Sequence, residues 1–324
     1  MKIDTNRRRV LGFAGGGAVL AALPRAYGQE KFPSRPIEVV THAGVGGGTD
    51  ITARMMMVHA PGVFKTEFVV ANRVGGSGAA AMQYMLEKPR DGHTIALITQ
   101  THLLTILRSK GKFKYEDLVP LARATDDPQI LAVGKGSPFK SAKELISAGK
   151  GKAFKYGTSL VGGVDHIAVV SIARSAGMQP PTIVPFRGGG DVVINLVGGN
   201  IDCALVNYAE AESQFKAGDI RALAVFADKA PAALPNVPTG KEIGIPGNYS
   251  TVRGFVTVSG VPQDRVKMLE EGLVKAMQGQ LYKTYIETSG QSADSVVGAG
   301  PWKAQLDEFM VEGKKTLEAL GLLK

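Results

Sequence analysis

The chain has 324 residues, with 38 Lys and Arg against 29 Asp and Glu, a formal charge of +9, five histidines and one cysteine. One cysteine excludes an intrachain disulfide; Cys203 sits in the apolar run 201–206, where no neighbour in sequence would depress its thiol pKa, and it reads as core. The basic excess is scattered, without a Lys/Arg run or interleaved aromatics, which argues against a nucleic-acid partner and leaves a general attraction for anionic solutes.

Residues 1–28 read as a cleavable export signal. A basic start with Arg7-Arg8-Arg9 precedes a short apolar stretch over 10–23 and an Ala26-Tyr27-Gly28 site. The context Asn6-Arg7-Arg8-Arg9-Val10-Leu11 and the weakly hydrophobic core 12–18 suit the twin-arginine route, with Sec export as the alternative. No stretch reaches membrane-spanning length. The expected location is the periplasm, and the remaining roughly 300 residues suit two domains.

Strand-like and helix-like segments then alternate: 37–41 and 49–58, 68–71 and 78–87, 94–99 and 102–108. That order predicts a parallel sheet with helices on its faces. Two apolar runs, 118–124 and 129–133, follow without a helix between them and are expected to carry the chain to a second lobe. The alternation restarts with helix 141–148, strand 154–158, helix 164–176, strand 182–185, helix 191–197, strand 203–206, helix 209–217 and strand 221–227. A proline-rich connection over 231–246 leads to strand 254–258 and helices over 263–277, 281–288 and 301–320, which are expected to return to the first lobe. The predicted division is therefore signal 1–28, lobe 1 over 29–126 and 228–324, and lobe 2 over 127–227. The predicted fold class is α/β, a two-lobed periplasmic binding protein of the Venus flytrap type with strand hinges.

Ligands of open parallel sheets sit at the carboxyl ends of the strands. The loops there supply the candidate site. They are His42-Ala43-Gly44, Gly46-Gly47-Gly48-Thr49-Asp50 and Thr99-Gln100-Thr101 in the first lobe, and Thr158-Ser159, Gly162-Gly163, His166, Arg187-Gly188 and Asn207 in the second. These residues are mostly small, hydroxylic or amide-bearing. They offer many neutral donors and few titratable groups, which suits holding an anion more than transforming one. Glycine turns before helix N-termini present backbone N–H groups to a negative charge. Asp50 is expected to favour its helix start, and Arg187 is a candidate carboxylate partner.

Rival chemistries find little support. No paired His/Cys spacing marks a metal site. Gly44-Val45-Gly46-Gly47-Gly48 lacks the third glycine of the dinucleotide fingerprint, and the second strand ends Ala71-Asn72-Arg73 without the ribose-binding acid. No Gly-Lys-Ser/Thr follows the turn, and Gly75-Gly76-Ser77-Gly78-Ala79 misses the nucleophile-elbow pattern. The alternatives kept are a periplasmic enzyme with His42 or His166 as base, and a ligand sensor for a membrane kinase.

The chain resembles the periplasmic receptors of tripartite tricarboxylate transporters, the Bug receptor family. The likeness rests on the order and spacing of Phe32-Pro33-Ser34-Arg35-Pro36-Ile37, Gly46-Gly47-Gly48-Thr49-Asp50, Asn72-Arg73-Val74-Gly75-Gly76, Pro89-Arg90-Asp91-Gly92-His93-Thr94, Tyr156-Gly157-Thr158-Ser159, Pro185-Phe186-Arg187-Gly188-Gly189, Leu196-Val197-Gly198-Gly199-Asn200, Ala217-Gly218-Asp219 and Leu234-Pro235-Asn236-Val237-Pro238. It implies a monomeric receptor, without cofactor, that delivers a carboxylated solute to membrane permease subunits. By that likeness, residues 44–50 and 158–163 grip the carboxylate from opposite lobes. The chain departs from the family pattern at His42-Ala43-Gly44-Val45, at Leu160, where a glycine is usual, and at Val252-Arg253-Gly254, where Trp-x-Gly is common.

Overall fold

The computed structural model describes residues 31–323, apart from 246, 248, 292 and 320. The export signal read over 1–28, with its Ala26-Tyr27-Gly28 site, lies outside the described residues. From β1 (Ile37–Thr41) the chain runs through α1 (Gly48–Met57), the short α2 (Ala60–Phe64), β2 (Phe68–Asn72), α3 (Ala79–Leu86), β3 (Thr94–Thr99) and α4 (Gln100–Arg108). β1 lies between β2 and β3, parallel to both. Every residue of β3 is buried, as a strand covered on both faces requires.

The two apolar runs after α4 are one strand. β4 (Leu118–Gly134) has 17 residues, so at about 3.3 Å each it is roughly 56 Å long, enough to serve two sheets. Its first part, up to Pro128, pairs antiparallel with β9 (Ser250–Val258), and its last part pairs with β7 (Cys203–Asn207) and β8 (Ile220–Val225). The intervening Asp126-Asp127-Pro128 hides this continuity in the sequence, because two acids and a proline read as a break. Pro128 is tolerated there because it stands at the last β9 pairing before the strand changes partners.

The second half repeats the first. α5 (Ala142–Gly149), β5 (Lys155–Thr158), α6 (Val164–Ser175), β6 (Thr182–Pro185), α7 (Gly189–Val197), β7 and α8 (Tyr208–Ala217) follow in order, with β5 parallel to β6 and β7. Apolar side chains from both faces of this sheet form two core clusters, one around Leu131, Val169 and Cys203 and one around Ile130, Val193 and Val206. Burial drives the Cys203 thiol pKa far up, consistent with its reading as core. Ile245 also packs into the first of these clusters, with Tyr249 against it, before the chain leaves through β9.

β9 returns antiparallel to β3, and α9 (Gln263–Met277), α10 (Gln280–Thr288), β10 (Val297–Gly298) and α11 (Ala299–Ala319) cover the first sheet. Trp302 of α11 is wholly buried against the backbone of Gly254 in β9; a Cβ there would stand 2.7 Å from the indole nitrogen. The strand order β2-β1-β3-β9-β4-β7-β5-β6 thus forms two α/β lobes joined through neighbouring antiparallel strands.

Candidate functional site

The carboxyl ends of β1 and β3 face those of β5 and β7 across a closed cleft. Several bonds between described residues cross it. The Val164 N–H donates to Thr101 Oγ1 at 3.3 Å, Ser77 Oγ to the Val161 carbonyl at 2.7 Å, and Arg108 Nη2 to the Gly162 carbonyl at 3.1 Å. Between the lobes lies a cavity of about 50 Å³. That is room for roughly four water-sized groups.

Charge gathers here more than the loops alone suggest. Arg253, 1 % exposed on β9, donates through Nη1 to Asp127 Oδ2 at 2.7 Å and through Nη2 to Asn207 Oδ1 at 2.9 Å. Asn207 in turn donates to the carbonyls of Asp127 and Pro128, so β4, β7 and β9 are pinned at the crossing. Burial pushes the Asp127 carboxyl up to about 7, with the Arg253 guanidinium opposing the rise. Glu210, in the first turn of α8, reaches across the cleft: its Oε1 accepts the Gly48 N–H at 2.6 Å, at the start of α1, and stands 3.8 Å from Arg253. Asp165, at the start of α6, accepts the backbone N–H of Ser159 and that of His166, and its carboxyl is raised to about 6, burial being the main cause and Glu210 adding to it.

Of the sequence candidates, His42, Ala43, Gly48, Thr49, Thr99, Thr101, Ser159, Arg187, Gly188 and Asn207 line the cavity. Gly44, Gly46 and Gly47 line an outer groove at its mouth, shared with Arg187 and Glu210. The others fall elsewhere. Asp50 spends both oxygens on Arg54, Asn72 and the Gly46 N–H, which holds its carboxyl below the usual range despite burial. Gln100 ties β9 through the Ser250 carbonyl and the Val252 N–H and faces a separate groove. Thr158 is buried beneath the site, Gly162 packs against the Arg108 guanidinium, Gly163 caps α6, and His166 Nδ1 accepts from the Gly162 N–H at 2.7 Å.

The cavity residues that loop reading missed include Gln129, Asp165, Gly189, Glu210, Thr251 and Arg253. One of them left a signal. Arg253 is the only charged residue in the strand 250–258, and a lone charge inside an apolar strand needs a buried partner. Asp165 and Glu210 sit within the first turn of helices entered from strand ends, one step beyond the loops themselves. The expectation of few titratable groups is therefore corrected: two acids, Asp165 and Glu210, and the guanidinium of Arg253 join the candidates in the cavity lining, each carried on a strand or a helix.

His42 and His102 pack edge to face with ring centroids 4.4 Å apart, and burial is the main cause that lowers both pKa values, His102 to about 4. His102 Nδ1 accepts the Thr99 N–H at 3.1 Å, closing a capping box at the start of α4. A histidine depressed in the folded state contributes stability above its unfolded pKa of 6.5 and loses it as pH falls towards 4. Glutamine caps the same position without titrating. Changing His102→Gln is therefore expected to shift the stability difference from wild type by about 2 kcal/mol in the variant's favour between pH 7 and pH 5. Urea unfolding at the two pH values checks it, and equal differences at both would contradict the burial of a neutral ring.

Two lobes closing over a polar cavity at facing strand ends define a solute-binding receptor of the periplasmic-binding-protein fold. Residues 53–299 match the family described as the tripartite tricarboxylate transporter family receptor, and the chain belongs to that family. It is 31 % identical over 284 residues to a protein encoded between tcbD and tcbE in Pseudomonas sp. strain P51, covering 85 % of this chain and 83 % of that one. Among solved structures, MatC from Rhodopseudomonas palustris with bound malate superposes with a TM-score of 0.79 at 23 % identity, covering 88 % of this chain and 100 % of that one. Rpa4515 from the same organism, with adipate, gives 0.81 at 23 % identity, covering 90 % and 98 %.

Proposed function

We propose that the chain is an exported, periplasmic solute-binding protein that captures a small organic carboxylate between its lobes and presents the closed form to the permease subunits of a tripartite tricarboxylate-type transporter. The observation that carries this reading is the cavity itself, whose lining comes from both lobes. A ligand touching both sides favours closure by the contacts it makes only there. Malate and adipate in related folds support the acid class. The lobes would move about β4 and β9 where these strands cross between sheets, near residues 126–129 and 249–252, with the proline-rich connection travelling with the second lobe. The predicted boundary at 228 moves accordingly.

Arg187 supplies the cationic end. It is exposed at the cavity mouth, and among the described residues no ion pair or side-chain hydrogen bond holds its guanidinium. For an acid found by thermal shift across a panel of C3 to C6 mono- and dicarboxylates, Arg187→Ala is expected to weaken binding about 10-fold, the modest value due to a partly solvated ion pair. Calorimetry on wild type and variant measures it. A panel that produces no stabilisation, after unfolding and refolding to strip copurified solute, rejects the carboxylate reading.

A further inference from the structure

In both loops expected to grip a carboxylate, a donor that faces the cavity is already held by one of the chain's own acids. The Gly48 N–H at the start of α1 is held by Glu210, and the Ser159 N–H and hydroxyl are held by Asp165. Glu210 is firmly seated. Its carboxylate lies against Gly48 on one side and Gly189 on the other, where a Cβ would come within 2.5 Å and 2.6 Å of Oε1. Its side chain is only 9 % exposed.

Formal charge points the same way. Asp127 and Glu210 flank the buried guanidinium of Arg253 at 2.7 Å and 3.8 Å, its Nη1 and Nη2 are taken by Asp127 and Asn207, and Asp165 adds a further acid to the cavity wall. A solute with only carboxylates would add negative charge to that excess, and buried charge without a partner is unfavourable. The polar groups left over include acceptors. Gln129, 2 % exposed, lines the cavity with its Oε1 lacking a hydrogen-bond partner, and so does His42 with Nδ1 at 6 % exposure. A cationic N–H group placed in the cavity would meet Glu210, Asp165 and these atoms together.

We infer that the ligand is a small zwitterion, its protonated amine held by Glu210 with Asp165 beside it and its carboxylate turned to Arg187. This rests on the carboxylate-receptor reading and narrows it. The amine supplies the positive charge that the closed cavity lacks, and the carboxylate meets the guanidinium at the mouth. Glu210 is then a specificity-determining residue, because its charge separates an amino acid from the same acid without nitrogen.

Matched pairs test this on the intact mature protein at pH 7: alanine against propionate, aspartate against succinate, glutamate against glutarate, each by calorimetry. In at least one pair the aminated member is expected to bind 10-fold or more tightly than its twin. Glu210→Gln, which still accepts the Gly48 N–H and preserves the fold, is expected to remove most of that preference. Tighter binding of the nitrogen-free twin, or an amine preference unchanged in the Glu210→Gln protein, overturns the inference while leaving a carboxylate receptor in place. Binding of neither member of any pair overturns both readings. The wild-type comparison stands even if the variant folds poorly.

Discussion

Arg253→Met is expected to lower the unfolding free energy by about 3–5 kcal/mol, the cost of breaking a buried ion pair from one side. The methionine keeps the side-chain volume while Asp127 loses its 2.7 Å partner and Asn207 loses its donor. For a protein of this size, that lowers the melting temperature by about 10 °C. The urea midpoint should fall with an unchanged slope. The deficit should also shrink on acidification. The Asp127 carboxyl, raised to about 7 in the folded chain, favours folding at pH values below its ordinary range, and that contribution fades as pH rises towards 7. Without Arg253 the carboxyl rises further above 7, so it takes up its proton already near neutral pH, and the deficit shrinks as pH falls from the alkaline side towards 7 and changes little below. Adding Asp127→Leu should recover much of the loss at neutral pH, because the pair then becomes apolar as a unit. A midpoint change of less than about 1 kcal/mol would mean that the guanidinium is not paired as described.

The lobes were legible in the sequence because each strand and helix announces itself locally. β1, β3, β6 and α9 match their expected spans, most others differ by a few residues at their ends, and α2 and β10 were not expected. The strand β4 was not legible as one element, since its continuity depends on what it pairs with: β9 for one half, β7 and β8 for the other. The site divided in the same way. Residues on the glycine and hydroxyl loops, such as Gly48, Thr99 and Ser159, reach the cavity because loops at strand ends must. Glu210 joins them only because α8 folds back against α1, a contact between positions 162 apart in sequence, and no local pattern encodes it. Asp50 shows the converse. Its place on the loop suggested the cleft, but Arg54 and Asn72 are nearer than any solute.

Gly48→Ala should cost ligand affinity at least 100-fold, with a smaller loss of stability of about 1–3 kcal/mol from the strain on Arg253. The glycine is required here by close approach: its φ needs no left-handed conformation, but a Cβ would collide most closely with Arg253 Nη2 and would stand 2.5 Å from Glu210 Oε1. Glu210 belongs to the opposite lobe, so turning about β4 and β9 relieves its share of the clash by opening the cleft, while the share that falls on the Arg253 guanidinium strains its bonds to Asp127 and Asn207 and lowers stability. Gly254→Ala makes the contrasting case. The indole of Trp302 sits in the same lobe as Gly254, opening relieves nothing, and overpacking of about 1–3 kcal/mol remains in the folded state. A clash across the cleft therefore acts on the closing equilibrium, while a clash within a lobe acts on folding. Calorimetry with the best ligand of the panel, urea unfolding, and small-angle scattering with and without ligand separate the two. The Gly48→Ala protein should lose affinity out of proportion to its urea midpoint and stay open at ligand concentrations that compact the wild type. If it binds and compacts like wild type, the cross-cleft contact of Glu210 with the start of α1 plays no part in closure.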